Sequence, residues 1–476
     1  MNQELITRID EWLNAHRDDM VNEIMELTRI PSVRSEAKPG APFGENCRKA
    51  VDAAKELCER HGFAAEVRGD GAYALMHSGD GPKSIGLFSH VDVVPEGNGW
   101  EITEPYNPIE REGFLVGRGV CDNKNGVVTG LYAIKAIREL GLPVKSRLTL
   151  FMGGDEESGM EDAQLFAKTE TMPDFSLVPD TEFPVCHGEK GIFKAWGVAN
   201  AKSEAILSLS GGLAYNVVCD EVKATLKNLP GLADELTAAL KGNEWVSCEV
   251  KGDEIEVTAK GVSAHASVPE KGHNATWELG KALASVQALP EVDRAAMAKI
   301  AAVLADGYGE AIGVAHTDEQ SGPLTCANGM VALRDGCVAI SFDVRYCVTL
   351  DGTEVEAGFK KCFEPDGWHL EDLSYSNGYH IPVDDPCVQA LYKVYLDVTG
   401  DTEAKPYTMG GGTYARRLKN AVAFGPEPRI GLRPSYVPKS RGGAHQPDEV
   451  LCVETFIEGI RIFILGIMEL DTILNG

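Results

Sequence analysis

Gly86-Leu-Phe-Ser-His-Val-Asp-Val-Val-Pro95 is the stretch on which the reading of this chain turns. Its first half is a short apolar run of the kind that forms a buried strand. Its end offers two ligand-type side chains, His90 and Asp92. Side chains two apart on a strand face the same way, so an imidazole and a carboxylate share one face. Such a pair suits a metal site in which one group binds the ion and the other orients the binder through a hydrogen bond. The same residues would also serve as a plain strand end with a surface histidine and an aspartate turn, so the surroundings decide.

Working outward, strands alternate with helices. A helix is expected from about Asn46 to His61, stopped by Gly62, followed by short strands at Ala64 to Val67, Tyr73 to His77 and Ser84 to Ser89. Residues 123–138 have helical spacing, and Arg147 to Met152 and Phe175 to Val178 read as further strands. The N-terminal thirty residues read as one amphipathic helix, with Leu5, Ile9, Trp12, Leu13, Met20, Ile24 and Leu27 near one face, stopping at Ile30-Pro31. This order predicts an α/β fold with a mixed sheet whose functional groups gather at the strands' carboxyl ends. Near Gly188-Glu-Lys-Gly191 the pattern becomes strand-rich and stays so to about Pro382; from Asp384 helix, strand and helix resume, closing with Val450 to Leu470. The expectation is a catalytic domain built from residues 1–188 and 383–476, with 189–382 inserted as an α+β lid long enough for two lobes.

Composition narrows the function classes. With 476 residues, 43% hydrophobic and 25% charged, the chain is an ordinary globular sequence of two or three units. A net charge of -27 argues against nucleic acid, whose phosphates need clustered Lys and Arg. The polar N-terminus is no signal peptide and no long uncharged apolar run appears, so no membrane association is expected. The 12 cysteines form no C-x-x-C pair, which suits a reduced, cytoplasmic chain.

Four further segments carry chemistry. Gly117-Arg-Gly-Val-Cys-Asp122 places Asp122 where a loop enters a helix. Gly153-Gly-Asp-Glu156-Glu157-Ser-Gly159 and Pro179-Asp180-Thr-Glu182 each follow a strand end, and Gly442-Gly-Ala-His445 supplies a histidine on a glycine-rich turn. Taken singly, these are helix caps, solvated acids and a loop histidine. Together they would bring Asp92, Asp122, Glu156, Glu157 and Asp180 to one edge of one sheet. Two carboxylates about 4 Å apart cost roughly 4 kcal/mol at an effective dielectric near 20. Lys124 alone cannot offset several such pairs; bound dications can, and the mixed donor set suits two zinc ions, with manganese or cobalt also accommodated. Adjacent glutamates in a loop do not point the same way, so Glu157 is assigned to metal and Glu156 to proton transfer as general base and then acid. Asp122 would bridge the ions, His90 and Asp180 completing one and Glu157 and His445 the other, with Asp92 orienting His90.

These segments, with Gly261-Val-Ser-Ala-His-Ala-Ser267, resemble the co-catalytic zinc peptidases that include aminoacylase, acetylornithine deacetylase, succinyl-diaminopimelate desuccinylase, carboxypeptidase G and peptidase V. The resemblance spans nearly the whole chain. The long insert and the loop Met409-Gly-Gly-Gly-Thr-Tyr-Ala-Arg416 look most like the peptidase V dipeptidases, which act as monomers on unblocked dipeptides, including β-alanyl ones. The resemblance implies a phosphorylase/hydrolase-like zinc-peptidase domain with a lid of two ferredoxin-like lobes, and a cis peptide after Asp122. It also implies that His265 donates to the carbonyl oxyanion and that Asn216 and Arg345 contact substrate. Asn125, where many relatives have Gly, and Cys219, where Pro is common, depart from the pattern beside those positions. From the residues themselves, Arg345 in an alternating strand, Val338 to Val348, could pair with a substrate carboxylate or simply face solvent. The backbone N–H groups of the Gly410 to Gly412 loop, with Gly411 and Gly412 at its centre, suit a carboxylate.

Rival readings are an N-acyl amino acid deacylase with the same metals and a non-catalytic peptide-binding module on the same scaffold. The second would lack a ligand or the base, and none is missing. No G-x-G-x-x-G follows a strand, which argues against a nicotinamide dehydrogenase. A monomer is expected, with a homodimer as the alternative.

Overall fold

The computed structural model describes residues 3–426 and 432–476. Contacts divide the chain into two compact units, Met1–His187 with Ile381–Tyr407 and Gly412–Gly476, and Gly188–His380 with Thr408–Gly411.

The first unit is built on a mixed sheet whose order runs Ala65–Arg68, Tyr73–Ser78, Arg147–Gly153, Ser84–His90, Phe175–Val178 and Ala421–Ala423. The central strands are parallel: Ser84–His90 pairs with Arg147–Gly153 on one side and Phe175–Val178 on the other. Every residue of Ser84–His90 is buried, as expected of a central parallel strand covered on both faces. Register places the chemistry. His90 pairs with Gly153, so the loop from Gly154 leaves the sheet level with it. Ile85 pairs with Phe175, and the same offset carried on puts Asp180 opposite His90. Helices Glu45–Arg60, Lys124–Glu139 and Val453–Asn475 bury Leu57, Ile134 and Phe463 in the core over this sheet.

Two elements differ from expectation. The N-terminal helix is two, Gln3–Ala15 and Arg17–Thr28. The His16 ring bonds the Trp12 carbonyl at 2.8 Å and stacks on Trp12, taking the acceptor that the next helical amide would use. The closing stretch begins as a strand, Val450–Cys452, paired with Phe114–Val116, before the helix starts at Val453. Its β-branched and apolar residues fit a small buried sheet edge better than a helix's first turn.

The second unit is an antiparallel sheet in the order Val246–Lys251, Glu254–Lys260, Glu221–Lys227, Ile206–Gly211, Val331–Arg334, Cys337–Tyr346, Gly191–Lys202 and Trp368–Ser376, with Thr325–Ala327 alongside Cys337–Tyr346. Helices Leu232–Ala239 and Ala275–Ala284 serve one half, Glu291–Val303 and Gly352–Phe363 the other, and both halves share one core. Gly352–Phe363 starts where the Asp351 carboxylate accepts from Thr353 N–H and the Glu354 side chain answers on the Asp351 N–H, a reciprocal cap. The segment Thr408–Gly411 belongs here. The Thr408 hydroxyl donates to the Gln320 carbonyl at 2.9 Å and Lys190 N–H to the Met409 carbonyl at 2.9 Å. No helix among the described residues is long and apolar enough to cross a membrane.

Candidate metal centre

Six side chains of the first unit converge at the carboxyl ends of its parallel strands: His90, Asp122, Glu156, Glu157, Asp180 and His445. His90 closes its strand, Asp180 stands two residues past Val178, and the two glutamates sit on the loop after Gly153. His90 Nε2 lies 3.2 Å from Asp122 Oδ1 and 3.7 Å from Asp180 Oδ2. His445 Nε2 lies 3.0 Å from Asp122 Oδ2 and 3.0 Å from Glu157 Oε2. Two groups of potential ligand atoms result, His90 with Asp122 and Asp180, and Asp122 with Glu157 and His445, each within 4.8 Å of one another. Asp122 stands in both, one oxygen to each. The peptide bond after it is cis, as the resemblance implies.

Asp92 sits beneath. Its backbone carbonyl is 3.0 Å from His90 Nδ1 and its carboxylate oxygen 3.4 Å, so Nδ1 carries a ring hydrogen and Nε2 is left facing the Asp122 and Asp180 carboxylates. The same carboxylate accepts from the backbone N–H of Glu156 at 3.1 Å and of Glu157 at 3.1 Å. One side chain thus sets both a ligand-type histidine and the double glutamate.

Burial and crowding set the protonation states. Burial alone would lower His90, but Asp180, Asp122 and Asp92 raise it well above its ordinary value. Partial desolvation would lower His445, whose ring is about half exposed, but hydrogen bonds to Asp122 and Glu157 lift it to about 11. Burial opposes Asp122 ionising, yet hydrogen bonds to His445 and His90 hold it below the usual carboxylate range. Burial, then Asp180, pushes Glu156 well above its ordinary value; burial, then Asp122, pushes Glu157 to about 7; burial raises Asp180.

The residues fit divalent metal. Among the described residues, Glu156 Oε1 and Glu157 Oε1 are buried without a hydrogen-bond partner, a costly state for polar atoms that an ion would relieve. Imidazole with carboxylate oxygens is a donor set for zinc, manganese or cobalt. Lys124, buried, gives its ammonium to the Leu27 and Ile30 carbonyls at 2.9 and 2.8 Å. It closes a helix end, and burial lowers it to about 7 in spite of Glu449 and Asp92, so it offsets little of the cluster's charge.

The second unit holds the remaining candidates, and several are linked. Ser267 N–H donates to His265 Nδ1 at 3.2 Å, with the Ser267 hydroxyl 2.7 Å from the same nitrogen. An accepting Nδ1 puts the neutral ring's hydrogen on Nε2. Asn216 accepts from Ala266 N–H through its carbonyl, one residue from His265. Arg345 is buried, and Nε and Nη2 of its guanidinium are spent on Asp343 at 2.5 and 3.0 Å. Nη1 donates to the Gly410 carbonyl at 2.8 Å. A side chain on Gly410 would meet Ser267 Cβ at 2.7 Å, so the glycine loop abuts the His265 turn. Gly411 lies in this unit and Gly412 in the first.

Sequence reasoning passed over several supporting residues. Asn123 accepts from His90 N–H at 3.4 Å and donates to the Pro179 carbonyl, joining two strand ends. Asp162 accepts from Asp155 N–H at 3.0 Å and from the Tyr414 hydroxyl, and the Tyr414 ring stands edge-on to His90. Glu449 takes the amides of the loop that carries Asp122. Position next to Asp122 was the one signal for Asn123, and membership of the glycine loop the one for Tyr414; Asp162 had none.

Comparison with known proteins agrees with this architecture. The model of peptidase family M20/M25/M40 matches residues 86–469. A Bacillus subtilis (strain 168) protein described as "Putative dipeptidase YtjP" is 30% identical over 472 residues, 95% of this chain and 97% of its own. A Staphylococcus aureus (strain USA300) protein, also described as a "Putative dipeptidase", is 30% identical over 87% of this chain and 91% of its own. Among solved structures, human carnosine dipeptidase 1 superposes with a TM-score of 0.58 at 16% identity over 98% of this chain and 100% of its own. The Saccharomyces cerevisiae di-peptidase Dug1p does so at 0.59 and 14%, over 98% of each chain. At such identities these structures speak for the fold alone.

Proposed function

This chain belongs to peptidase family M20/M25/M40, metal-dependent hydrolases, and from that premise we propose that it cleaves unblocked dipeptides, β-alanyl ones among them. The observation that carries the reading is the Asp122 carboxylate held between two histidines, with His90 Nε2 at 3.2 Å and His445 Nε2 at 3.0 Å. That arrangement suits a carboxylate shared by two ions. His90, Asp122 and Asp180 would hold one and Asp122, Glu157 and His445 the other, zinc before manganese or cobalt. The names given to the two 30% identical relatives support a dipeptide substrate.

When bound, the ions supply Lewis acidity and positive charge beside the scissile carbonyl. Glu156 takes the proton from the attacking water at its carboxylate and returns it to the departing amine. A carboxyl raised above its ordinary value by burial, then by Asp180, is suited to take a proton and give it back. His265, its ring hydrogen on Nε2, donates to the oxygen on which negative charge develops, worth something like 3 kcal/mol of the barrier. Arg345, Asn216 and the N–H groups of Gly411 and Gly412 are the groups suited to a dipeptide's ends. The side-on edge of Arg345 belongs to Asp343, so a substrate carboxylate would meet its outer N–H groups. A monomeric state and a cytoplasmic location complete the proposal, the latter supported by twelve cysteines that form no disulfide among the described residues.

The test is a substrate panel run on chelated protein reloaded with zinc, manganese or cobalt. Free dipeptides should be hydrolysed in preference to N-acetyl or N-succinyl amino acids; the reverse preference makes this a deacylase. Glu156→Gln should lower kcat by about 10²- to 10⁴-fold while retaining metal. Turnover near that of the wild type removes Glu156 as the base.

A further inference from the structure

We infer that Glu449 is the positioning residue that fixes Asp122 and His445 to one another, so that a cation held by Asp122, Glu157 and His445 depends on it more than one held by His90, Asp122 and Asp180. The inference rests on the metal reading above.

Glu449 is fully buried, and the loop that delivers Asp122 is folded around its carboxylate. Oε1 accepts from Cys121 N–H at 2.8 Å and Asp122 N–H at 3.0 Å; Gly119 N–H reaches both oxygens at 3.1 and 3.0 Å. Arg118 Nη1 donates to Oε2 at 2.7 Å, and Gly117 N–H donates to the Glu449 backbone carbonyl at 3.0 Å. Successive amides closing on an anion form a nest, and the turn needs glycine at 119, where φ is +90 and a side chain would meet Val93 Cγ1 at 2.8 Å.

The other end of the connection is His445, four residues earlier. It occupies the left-handed region at φ 62, as does Asp448 at φ 55, conformations that persist only where neighbours over-determine them. The loop is closed on itself: Gly442 N–H donates to the Pro447 carbonyl at 3.0 Å and Val450 N–H to the Gly442 carbonyl at 3.1 Å. A shift of Glu449 is therefore passed to His445 as well as to Asp122. His90 and Asp180 are placed instead by paired strands and by Asn123, which do not involve Glu449.

The test uses zinc alone on the full chain, titrated against a competing chelator, with urea unfolding of the metal-free protein alongside. Wild type takes up two ions. Glu449→Gln keeps the amides' acceptor oxygen but sets an NH₂ against Arg118 and Gly119 N–H; it should hold one ion within about threefold and the other about 10- to 100-fold more weakly. Glu449→Asp, which keeps the charge but withdraws it from the loop, should show the same split and covers the case in which the Gln variant folds poorly. Two ions weakened alike, or neither weakened, overturns the inference and makes Glu449 a structural residue. A wild-type chain that takes up no zinc overturns the metal reading, and the inference with it.

Discussion

Asp92→Asn separates two jobs that the wild-type carboxylate performs together. The two oxygens of Asp92 accept from Glu156 N–H and Glu157 N–H, each at 3.1 Å. An amide keeps one acceptor and turns an NH₂ toward the other donor, so one hydrogen bond to a charged group is lost inside a buried site. Such a bond is worth about 1.5–3 kcal/mol. Expressed as a barrier, because Glu156 is then held less firmly where it must take the proton, this is a fall of roughly 10- to 150-fold in kcat/KM. His90 should be spared, because its Nδ1 retains the Asp92 backbone carbonyl at 3.0 Å, which the substitution does not touch. The assay pairs steady-state kinetics on a free dipeptide at saturating metal with a chelator-competition titration of both ions. Turnover should drop by that factor while the ion assigned to His90 and Asp180 keeps its affinity within a few-fold. Unchanged turnover, or a loss confined to that ion, would refute the reasoning and return Asp92 to being an orienter of His90 alone.

Other perturbations test separate parts of the site. Gly410→Ala puts a Cβ 2.7 Å from Ser267 Cβ, so the His265 turn must move; kcat/KM should fall by about 10- to 100-fold with both metal affinities intact, checked by kinetics and titration. Ser267→Ala leaves the backbone donor to His265 Nδ1 in place, so kcat should stay within about fivefold of wild type and the ring tautomer, followed by nitrogen NMR of labelled histidine, should not change. Chelation should lower the unfolding temperature, since ions that bind only the folded chain stabilise it by about 4 kcal/mol at a thousand times their dissociation constant. Metal affinity should rise with pH. Glu157, raised to about 7, and His445, raised to about 11, both hold protons in the metal-free chain below those values and must release them to bind; calorimetry in buffers of different ionisation enthalpy counts the protons released.

How much of this could be seen in the sequence follows from what each residue depends on. The metal-type residues were legible because strand periodicity and strand ends are local: a buried run stops, and the next polar side chains lie at the sheet's edge whatever the rest of the chain does. Register then turned sequence distance into proximity, setting Asp180 level with His90. The split of the first helix at His16 was not legible, because it rests on a side chain competing for the Trp12 carbonyl, which helical periodicity ignores. Val450–Cys452 was taken into the last helix for a related reason: its strand partner, Phe114–Val116, lies more than three hundred residues away in sequence. Asp162, Tyr414 and Asn123 were missed because each acts on a backbone group or a ring edge of another element, and no spacing within their own segments marks that. Glu449 stands four residues past His445, but a buried acid whose partners are amides looks like any other acid in a sequence.

The two histidines also make the halves of the centre unequal, and the inequality has a direction. His90 is buried at the end of a central strand with its Nδ1 satisfied, so its ring stays in place whether or not an ion is present. His445 is exposed, on a loop, in a backbone conformation that costs a non-glycine residue roughly 1–2 kcal/mol. In the metal-free chain its imidazolium is pinned electrostatically between Asp122 and Glu157. Once an ion takes those carboxylates the ring must be neutral, and its own bond to the ion would replace that pin. Thereafter the loop is kept by its own closing hydrogen bonds and by two buried acids, Asp448 on the amides of Glu101 and Ile102 and Glu449 on those of Gly119, Cys121 and Asp122. On the proposed two-ion reading, the ion at His445 should be the first to leave in a chelator titration, and turnover assigned to Glu156, whose neighbour Glu157 goes with that half, should fall at the same step.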